Sequence, residues 1–120
     1  MHKEDFEDFE FQVESRLTSH GIYVTEFEER VDEETYAVTY ESIAADKGTV
    51  PHGEIGRVIN VFRDLHADDW SGIDIEATVL DLDGEVRGYW YVDGEWFDAL
   101  HNGELTETGF SQRVLETLST

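Results

Sequence analysis

Helical spacing of apolar residues gives way to strand-like alternation twice along this chain, and that order restricts the folds open to it. The segment 4–20 places apolar residues every three or four positions and meets Gly21, which predicts a helix that stops there. The segment 55–66 has the same period and predicts a second helix. Polar and apolar residues alternate in the segments that follow these helices, and we expect strands at 22–31, 35–42, 73–80 and 86–92.

Two places in the predicted strands need a departure from regular geometry. The apolar residues of the first strand change parity along 22–31, and a bulge near Thr25 or Glu26 would return both sets to one face. Asp83-Gly84 lies between the last two strands and predicts a two-residue hairpin turn. We therefore expect the last two strands to be antiparallel neighbours.

The chain after the last predicted strand allows two interpretations. Asp93-Gly94 would begin either a fifth strand, through a hairpin turn, or a short helix over residues 95–101 that Asp93 caps. The apolar residues of this segment recur at helical spacing, which favours the helix. A further apolar stripe over residues 106–118 then completes a C-terminal helical hairpin.

Together these elements predict one α+β domain that spans residues 1–120. We expect a two-layer fold in which two α-β-β units form a four-stranded antiparallel sheet, with helices on one face and the helical hairpin at the C-terminus. A chain of 120 residues is close to the commonest domain size and can bury roughly two-thirds of the surface that it exposes when unfolded. The second face of such a sheet need not be covered by its own chain.

Acidic residues outnumber basic ones by 29 to 8, and the formal net charge is -21. They occur in nearly every polar stretch, which indicates adaptation to concentrated monovalent salt rather than the paired rows of acids that would imitate nucleic-acid phosphates. Salt weakens their mutual repulsion, because the Debye length falls from about 10 Å at 0.1 M to about 3 Å at 1 M. The same charge disfavours binding to DNA or RNA.

We do not expect this chain to cross a membrane or to enter an oxidising compartment. It has no cysteine, which excludes disulfides and thiolate metal sites. No apolar run approaches the ~18 residues that span a bilayer, and residues 1–10 are acidic where a signal peptide would be basic and then apolar. We therefore expect a soluble, cytoplasmic protein.

Several short segments carry a resemblance: Glu54-Ile55-Gly56-Arg57-Val58, Asp69-Trp70, Arg87-Gly88, Glu95-Trp96-Phe97-Asp98-Ala99-Leu100 and Phe110-Ser111-Gln112-Arg113-Val114-Leu115. Together they resemble a family of small acidic proteins of unassigned function that is common in salt-loving archaea. The resemblance covers residues 50–118 and implies a cytoplasmic protein of high-salt cells, without implying an activity, a substrate or a catalytic residue. The segment 103–110 is also similar to the helical hairpins that end many oligomerising proteins.

No arrangement of residues signals catalysis, a metal ion or a cofactor. The serines lie outside any nucleophile elbow, and the glycines form neither a dinucleotide-binding motif nor a phosphate-binding loop. Two ligand types occur together only in His52 with Glu54, and in His66 with Asp68 and Asp69, which is fewer than a zinc site needs. We predict no catalytic residue, no metal and no cofactor.

The strand predicted at 86–92 has one aromatic face. Tyrosine and arginine are residue types that concentrate binding energy at interfaces. Either the terminal helices cover this face as a second core, or it stays exposed and marks an interaction. The candidate interface or ligand residues that alternation places on it are Arg87, Tyr89 and Tyr91, with Thr78 and Leu80 of the neighbouring strand.

Two functions from different classes follow from these features. The first is a protein–protein interaction module without catalytic activity, which we expect to self-associate as a homodimer and whose open sheet face or terminal helical hairpin binds a protein partner or this second copy. The second is a small-molecule-binding protein or minor enzyme, whose aromatic pocket Arg87 would complete by pairing an anionic ligand. That pocket would be lined by Trp70, Tyr89, Trp96 and His66. The lack of a polar constellation favours the first.

Overall fold

The computed structural model describes residues 3–30, 35–43, 50, 52–66 and 74–119. Helices and strands follow one another in the predicted order: α1 (Lys3–Thr18), β1 (Ile22–Arg30), β2 (Thr35–Ser42), α2 (His52–His66), β3 (Asp74–Leu80), β4 (Val86–Val92), α3 (Gly94–His101) and α4 (Glu107–Glu116). The α+β class and the repeated α-β-β order are therefore confirmed. Within these residues no helix combines the length and the apolar character that crossing a membrane requires.

The four strands form one sheet in the order β1-β2-β3-β4. Its two outer pairs are antiparallel, but the central strands β2 and β3 run parallel, with Tyr36 opposite Ile75 and Tyr40 opposite Val79. The prediction of a wholly antiparallel sheet is wrong for this central pair. The reason lies in the connection, because a crossover that contains α2 returns the chain to the end of the sheet at which β2 began. Strand β3 consequently runs in the same direction as β2.

The predicted bulge in β1 is confirmed. Val24 lies opposite Tyr40 and Glu26 opposite Thr39, so that Thr25 is an extra residue in the ladder. A single inserted residue reverses the side-chain alternation along a strand. Ile22, before the bulge, is fully buried, and Phe27, after it, packs against the same core.

The β3–β4 hairpin has a longer turn than the two residues that the sequence predicts. The backbone N–H of Asp81 donates to the carbonyl of Glu85 at 2.9 Å, which leaves three residues, 82–84, in the loop. Gly84 adopts a φ of 83°, a conformation that side chains disfavour and that three-residue loops place at this position. The Asp-Gly pair thus marks the hairpin correctly but occupies the second half of a longer loop.

One contiguous apolar core lies between the sheet and the helices. Aromatic rings fill the part of it between α1, α2 and the first two strands: the ring of Tyr36 lies 5.2, 5.7 and 5.9 Å from those of Phe9, Phe27 and Phe62, between centroids. Burying each such side chain favours folding by roughly 1.5–3 kcal/mol. The helices α1 and α2 therefore cover one face of the sheet.

The segment after β4 is the helix that the spacing favours, not a fifth strand. Helix α3 begins after Asp93, whose carboxylate accepts the backbone N–H of Glu95 at 2.9 Å. The backbone N–H of Gly94 donates to Asp74 at 2.6 Å, which ties the start of α3 to β3. Phe97 of α3 packs on Phe110 of α4 with 5.1 Å between ring centroids, so the two helices add to the same core.

The end of the chain returns to the sheet and pairs with the outer edge of β4. Tyr89 and Ser119 exchange two backbone hydrogen bonds of 2.8 and 2.9 Å. The hydroxyl of Thr117 accepts the N–H of Tyr91 at 3.0 Å. Since an unpaired edge strand is a template for unwanted association, this tail protects one edge of the sheet.

Candidate functional site

The face of the sheet opposite α1 and α2 carries a groove of about 500 Å³, called here the sheet groove. Side chains from all four strands line it, and Thr117 of the C-terminal tail closes one side. Its volume falls within the range of about 300–1,000 Å³ that is typical of ligand sites. The open sheet face is thus concave and accessible, and the terminal helices do not convert it into a second core. Its exposed lining residues are Glu26, Glu28, Glu76, Tyr89 and Tyr91, and its half-buried polar lining residues include Arg30, Thr39 and Thr78.

One half of the sheet groove is acidic. Glu26, Glu28 and Glu76 are exposed, and Arg30 is the cation that lies among them. The guanidinium of Arg30 is 2.8 Å from a carboxylate oxygen of Glu76 and 3.8 Å from one of Glu28. Glu26 has no such partner within the described residues, so this half of the groove keeps a negative balance.

The other half of the sheet groove is aromatic. Tyr89 and Tyr91 are 52% and 48% exposed, whereas Trp90 and Val92 between and beyond them are buried. Tyr89 and Tyr91 therefore lie on the same, open face of β4. Tyr91 also stacks on Trp96 of α3, with 5.8 Å between ring centroids and 25° between ring planes, so its ring is held in place. Two exposed tyrosines at the side of a groove are suitable contacts for a partner.

Arg87 lies at the hairpin end of β4 and is engaged within the chain. Its Nε donates to Asp81 Oδ2 at 2.7 Å, and its Nη2 lies 2.9 Å from Glu85 Oε2. Burial alone would raise the pKa of Asp81, but the hydrogen bonds from Arg87 and from two backbone amides outweigh it and lower that pKa. The same pairing raises the pKa of Arg87. Arg87 lines neither this groove nor the next one, and its role is to hold the hairpin.

A second, shallower groove of about 630 Å³ lies beside α4 and shares Tyr91 and Thr117 with the first. Trp96 and Arg113 line it together. The sequence analysis selected Trp96 and did not select Arg113. The feature that could have identified Arg113 is its position on the polar side of the last helix. Of the predicted pocket, Tyr89 lies in the sheet groove and Trp96 in this second groove. Trp70 and the side chain of His66 lie outside the part of the structure that is described.

Thr78 and Leu80, the two candidates on β3, have separate environments. Both are half-buried, but only Thr78 lines the sheet groove. The register explains this difference, because Thr78 lies opposite Tyr89 whereas Leu80 lies opposite Val86, beyond the irregularity at Arg87 and Gly88. Leu80 therefore sits at the hairpin end of the sheet, outside the groove.

Buried polar groups inside the core are satisfied by one another. The indole N–H of Trp90 donates to the hydroxyl of Tyr40 at 3.0 Å, and Ser42 donates to Glu54 at 2.5 Å. Burial raises the pKa of Tyr40, and the nearby charge of Glu54 adds to that increase, although the Trp90 hydrogen bond opposes it. Ser42 is fully buried, so its hydroxyl has a structural role and cannot meet a substrate.

Metal-ligating side chains do not converge in the described residues. No group of three or more histidine, aspartate and glutamate side chains there could hold a metal ion. Of the two pairs selected from the sequence, Glu54 is engaged by Ser42, and Asp68 and Asp69 lie outside the described residues.

Comparisons with known proteins identify a family. A family model described as Domain of unknown function (DUF8159) matches residues 3–120, nearly the whole chain. No match is found among curated proteins or among solved structures.

Proposed function

The chain belongs to this DUF8159 family, and we propose that it is a binding module without catalytic activity, which holds a partner protein against the open face of its sheet. The observation that carries the proposal is the sheet groove itself, a concave surface of about 500 Å³ that crosses all four strands. It combines carboxylates at one side with exposed tyrosine rings at the other. Such a concave surface, with charged groups and aromatic rings side by side, is suited to binding.

The partner that fits this surface is a basic segment of another protein. Carboxylates attract lysine and arginine side chains, and a tyrosine ring offers its face to a cation within about 6 Å. A second copy of the chain fits less well, because its open face would bring another Glu26, Glu28 and Glu76 against the first set. Like charges brought together at an interface cost several kcal/mol. The alternative occupant of the sheet groove is a second copy of the chain.

We place this module in the cytoplasm of a cell that contains concentrated salt. The support for this setting is the excess of 29 acidic over 8 basic residues. At about 1 M salt the Debye length is about 3 Å, so the general negative field no longer reaches a partner. Only a basic group in direct contact with the groove then has a favourable electrostatic interaction with the protein. The groove, rather than the net charge, is therefore the source of selectivity.

The test uses an extended peptide of alternating arginine and serine as the probe, at about 1 M salt, where long-range attraction is screened. Amide chemical shifts are followed by NMR as the peptide is added. We expect the shifts to concentrate on residues 26–30, 37–39, 74–78 and 89–91. Tyr89→Ser should weaken binding about tenfold or more, because an aromatic contact at the centre of an interface is worth about 2 kcal/mol.

A matched pair of variants separates the groove from the net charge. The groove variant changes Glu26, Glu28 and Glu76 to Gln. The control changes Asp83, Glu95 and Glu104, three exposed acids outside the groove, to the corresponding amides. We expect only the groove variant to lose binding. Equal losses in both variants, or shifts spread over the whole surface, would contradict the proposal.

The same sample tests the second copy as the occupant. Sedimentation without peptide should give the mass of one chain, 13.8 kDa. A mass of two chains that the groove variant returns to one would show that the open face binds another copy, and the basic-segment proposal would be wrong.

A further inference from the structure

A third groove lies on the helix side of the molecule, where the end of α1 meets the start of α2. It has a volume of about 460 Å³ and is called here the α1–α2 notch. Its lining contains two arginines and one aspartate, in contrast with the acidic surface elsewhere. Its lining residues are Arg16, Ser19, His20, Gly53, Gly56, Arg57, Asn60, Val61 and Asp64.

Arg57 carries a positive charge that no carboxylate neutralises among the described residues. Its Nη1 lies 2.6 Å from Nδ1 of His20. A guanidinium can only donate, so Nδ1 of His20 is the acceptor in this contact. By contrast, Arg30, Arg63 and Arg87 each lie within 4 Å of a carboxylate. In a chain with 29 acidic residues, this arginine is oriented by a histidine ring rather than by a carboxylate.

Arg16 adds a second cation to the notch. Its Nη1 lies 3.8 Å from Oδ2 of Asp64, and the two side chains are 50% and 69% exposed. Such an exposed, long ion pair contributes little and is easily rearranged. The two arginines therefore face one carboxylate, and the local balance in the notch is positive on a molecule whose net charge is -21.

Two glycines leave the backbone of α2 uncovered on the same side. Gly53 and Gly56 are three positions apart in the first turns of α2, and both line the notch. A Cβ atom at either position would meet no atom within 4 Å, so the packing of the chain does not require glycine there. Glycine destabilises a helix relative to alanine. These positions therefore lower the stability of the helix and leave open space beside the backbone on the notch side of α2.

We propose that the α1–α2 notch binds a phosphate group, with the guanidinium groups of Arg57 and Arg16 and the amide of Asn60 as its side-chain contacts. Arginine matches the geometry of a phosphate through two parallel N–H donors. The open space at Gly53 and Gly56 then allows the phosphate to approach the backbone on this side of α2. This site is independent of the sheet groove, from which the sheet and the core separate it.

The test titrates inorganic phosphate into the folded protein in potassium chloride and follows backbone amides and arginine side-chain N–H groups by NMR. We expect saturable shifts at residues 19–20 and 53–60. Arg57→Gln should weaken phosphate binding at least tenfold. Arg63→Gln is the matched control, because it removes the same charge from α2 at a residue that pairs with Glu107 outside the notch, and it should bind phosphate as the unchanged chain does.

A second variant distinguishes a ligand site from a structural contact between helices. Gly56→Ala should raise the unfolding temperature, because alanine favours the helix and has room there, while it weakens phosphate binding by blocking the approach to the backbone. Increased stability with unchanged phosphate binding would show that the glycine does not serve a ligand and would overturn this part of the site. Shifts that do not saturate, or that are equal in the Arg57 and Arg63 variants, would overturn the proposal as a whole.

A parallel titration with glycerol 3-phosphate identifies the source of the phosphate group. Tighter binding than that of inorganic phosphate would identify a small phosphate ester as the ligand. Equal or weaker binding would identify free phosphate. In both cases the Arg57 variant must lose the binding for the site to stand.

Discussion

At the scale of single residues, Asp81 shows how a carboxylate with a structural role differs from the many that only meet solvent. Its Oδ1 accepts the backbone N–H groups of Asp83 and Glu85 at 2.9 and 3.1 Å, and its Oδ2 accepts the guanidinium of Arg87. Asp83, two residues on, is exposed, and its carboxylate makes no such contact in the described structure. The sequence presents the two as equivalent, because nothing in an Asp-Leu-Asp-Gly run tells which carboxylate turns inward.

We expect Asp81→Asn to lower the unfolding temperature by several degrees more than Asp83→Asn, which removes the same charge. The hydrogen bonds that lower the pKa of Asp81 set the pH dependence of this difference. The ionised group stabilises the fold at pH values above its unfolded pKa, near 3.9, and that stabilisation is lost as the pH falls through the lower folded value. Melting curves from about pH 7 down to about pH 2 should therefore show a constant gap that shrinks below about pH 4. A gap that stays the same at the lowest pH would contradict this role.

At the scale of elements, local patterns predicted most of the fold, and contacts between distant segments accounted for the rest. Period and turn residues were enough for the order of helices and strands, for the bulge at Thr25 and for the helix after Asp93. The parallel pairing of β2 with β3 depends on how a crossover returns through space, which no single segment encodes. The pairing of Ser119 with Tyr89 has no sequence signal either, since two polar residues at the end of a helix are typical of a free tail.

The candidate sites divide in the same way. The aromatic face of β4 follows from alternation, and Tyr89 and Tyr91 were predicted from it. Arg113 and the α1–α2 notch could not be predicted, because each combines residues from helices whose packing was unknown. Arg87 was selected for its type, and only the structure shows that Asp81 and Glu85 already engage it.

The C-terminal tail provides a test at this scale. The hydroxyl of Thr117 accepts the N–H of Tyr91 and donates to the carbonyl of Val114 at 2.6 Å, which joins α4 to the edge of β4. Thr117→Val keeps the shape and removes these bonds, so we expect a loss of about 1 kcal/mol in the free energy of unfolding. Hydrogen exchange at the Tyr89 and Tyr91 amides should become faster. Thr108→Val, at an exposed position of α4, is the control, and equal exchange in both variants would show that the tail does not hold the edge.

At the scale of the whole molecule, charge is distributed unequally among the surfaces that could bind. The sheet groove has more carboxylates than cations, and the α1–α2 notch has more cations than carboxylates. The two lie on opposite sides of the core, so a basic protein segment and a phosphate group would not compete for space. The two proposed ligands would therefore be able to bind at the same time.

The excess of carboxylates leads to a prediction about stability in salt. A surface of 7103 Å² shared among 29 carboxylates gives each about 245 Å², a mean spacing of roughly 16 Å, and runs such as Glu26, Glu28 and Glu29 are closer. Repulsion within such runs acts in about 0.1 M salt and is screened in about 1 M, whereas charges at the mean spacing are already largely screened in about 0.1 M salt. The unfolding temperature should then rise by at least about 5 °C between these concentrations of potassium chloride, roughly 1 kcal/mol for a domain of this size.

The variant with amides at positions 83, 95 and 104 shows whether repulsion is the cause. Fewer charges leave less repulsion to screen, so its unfolding temperature should be higher than that of the unchanged chain in dilute salt and should rise less as salt is added. If salt acted generally by strengthening apolar burial, the unfolding temperatures of both proteins would rise by the same amount. The three exposed positions bury no apolar surface, so the substitutions would not change that effect. If the unfolding temperatures of the two proteins rise equally with salt, or do not rise, the acidic residues do not make the fold more stable in concentrated salt. The protein would then have no need of concentrated salt. At low ionic strength the whole negative surface attracts a basic partner, so contact with the sheet groove would provide less of the selectivity.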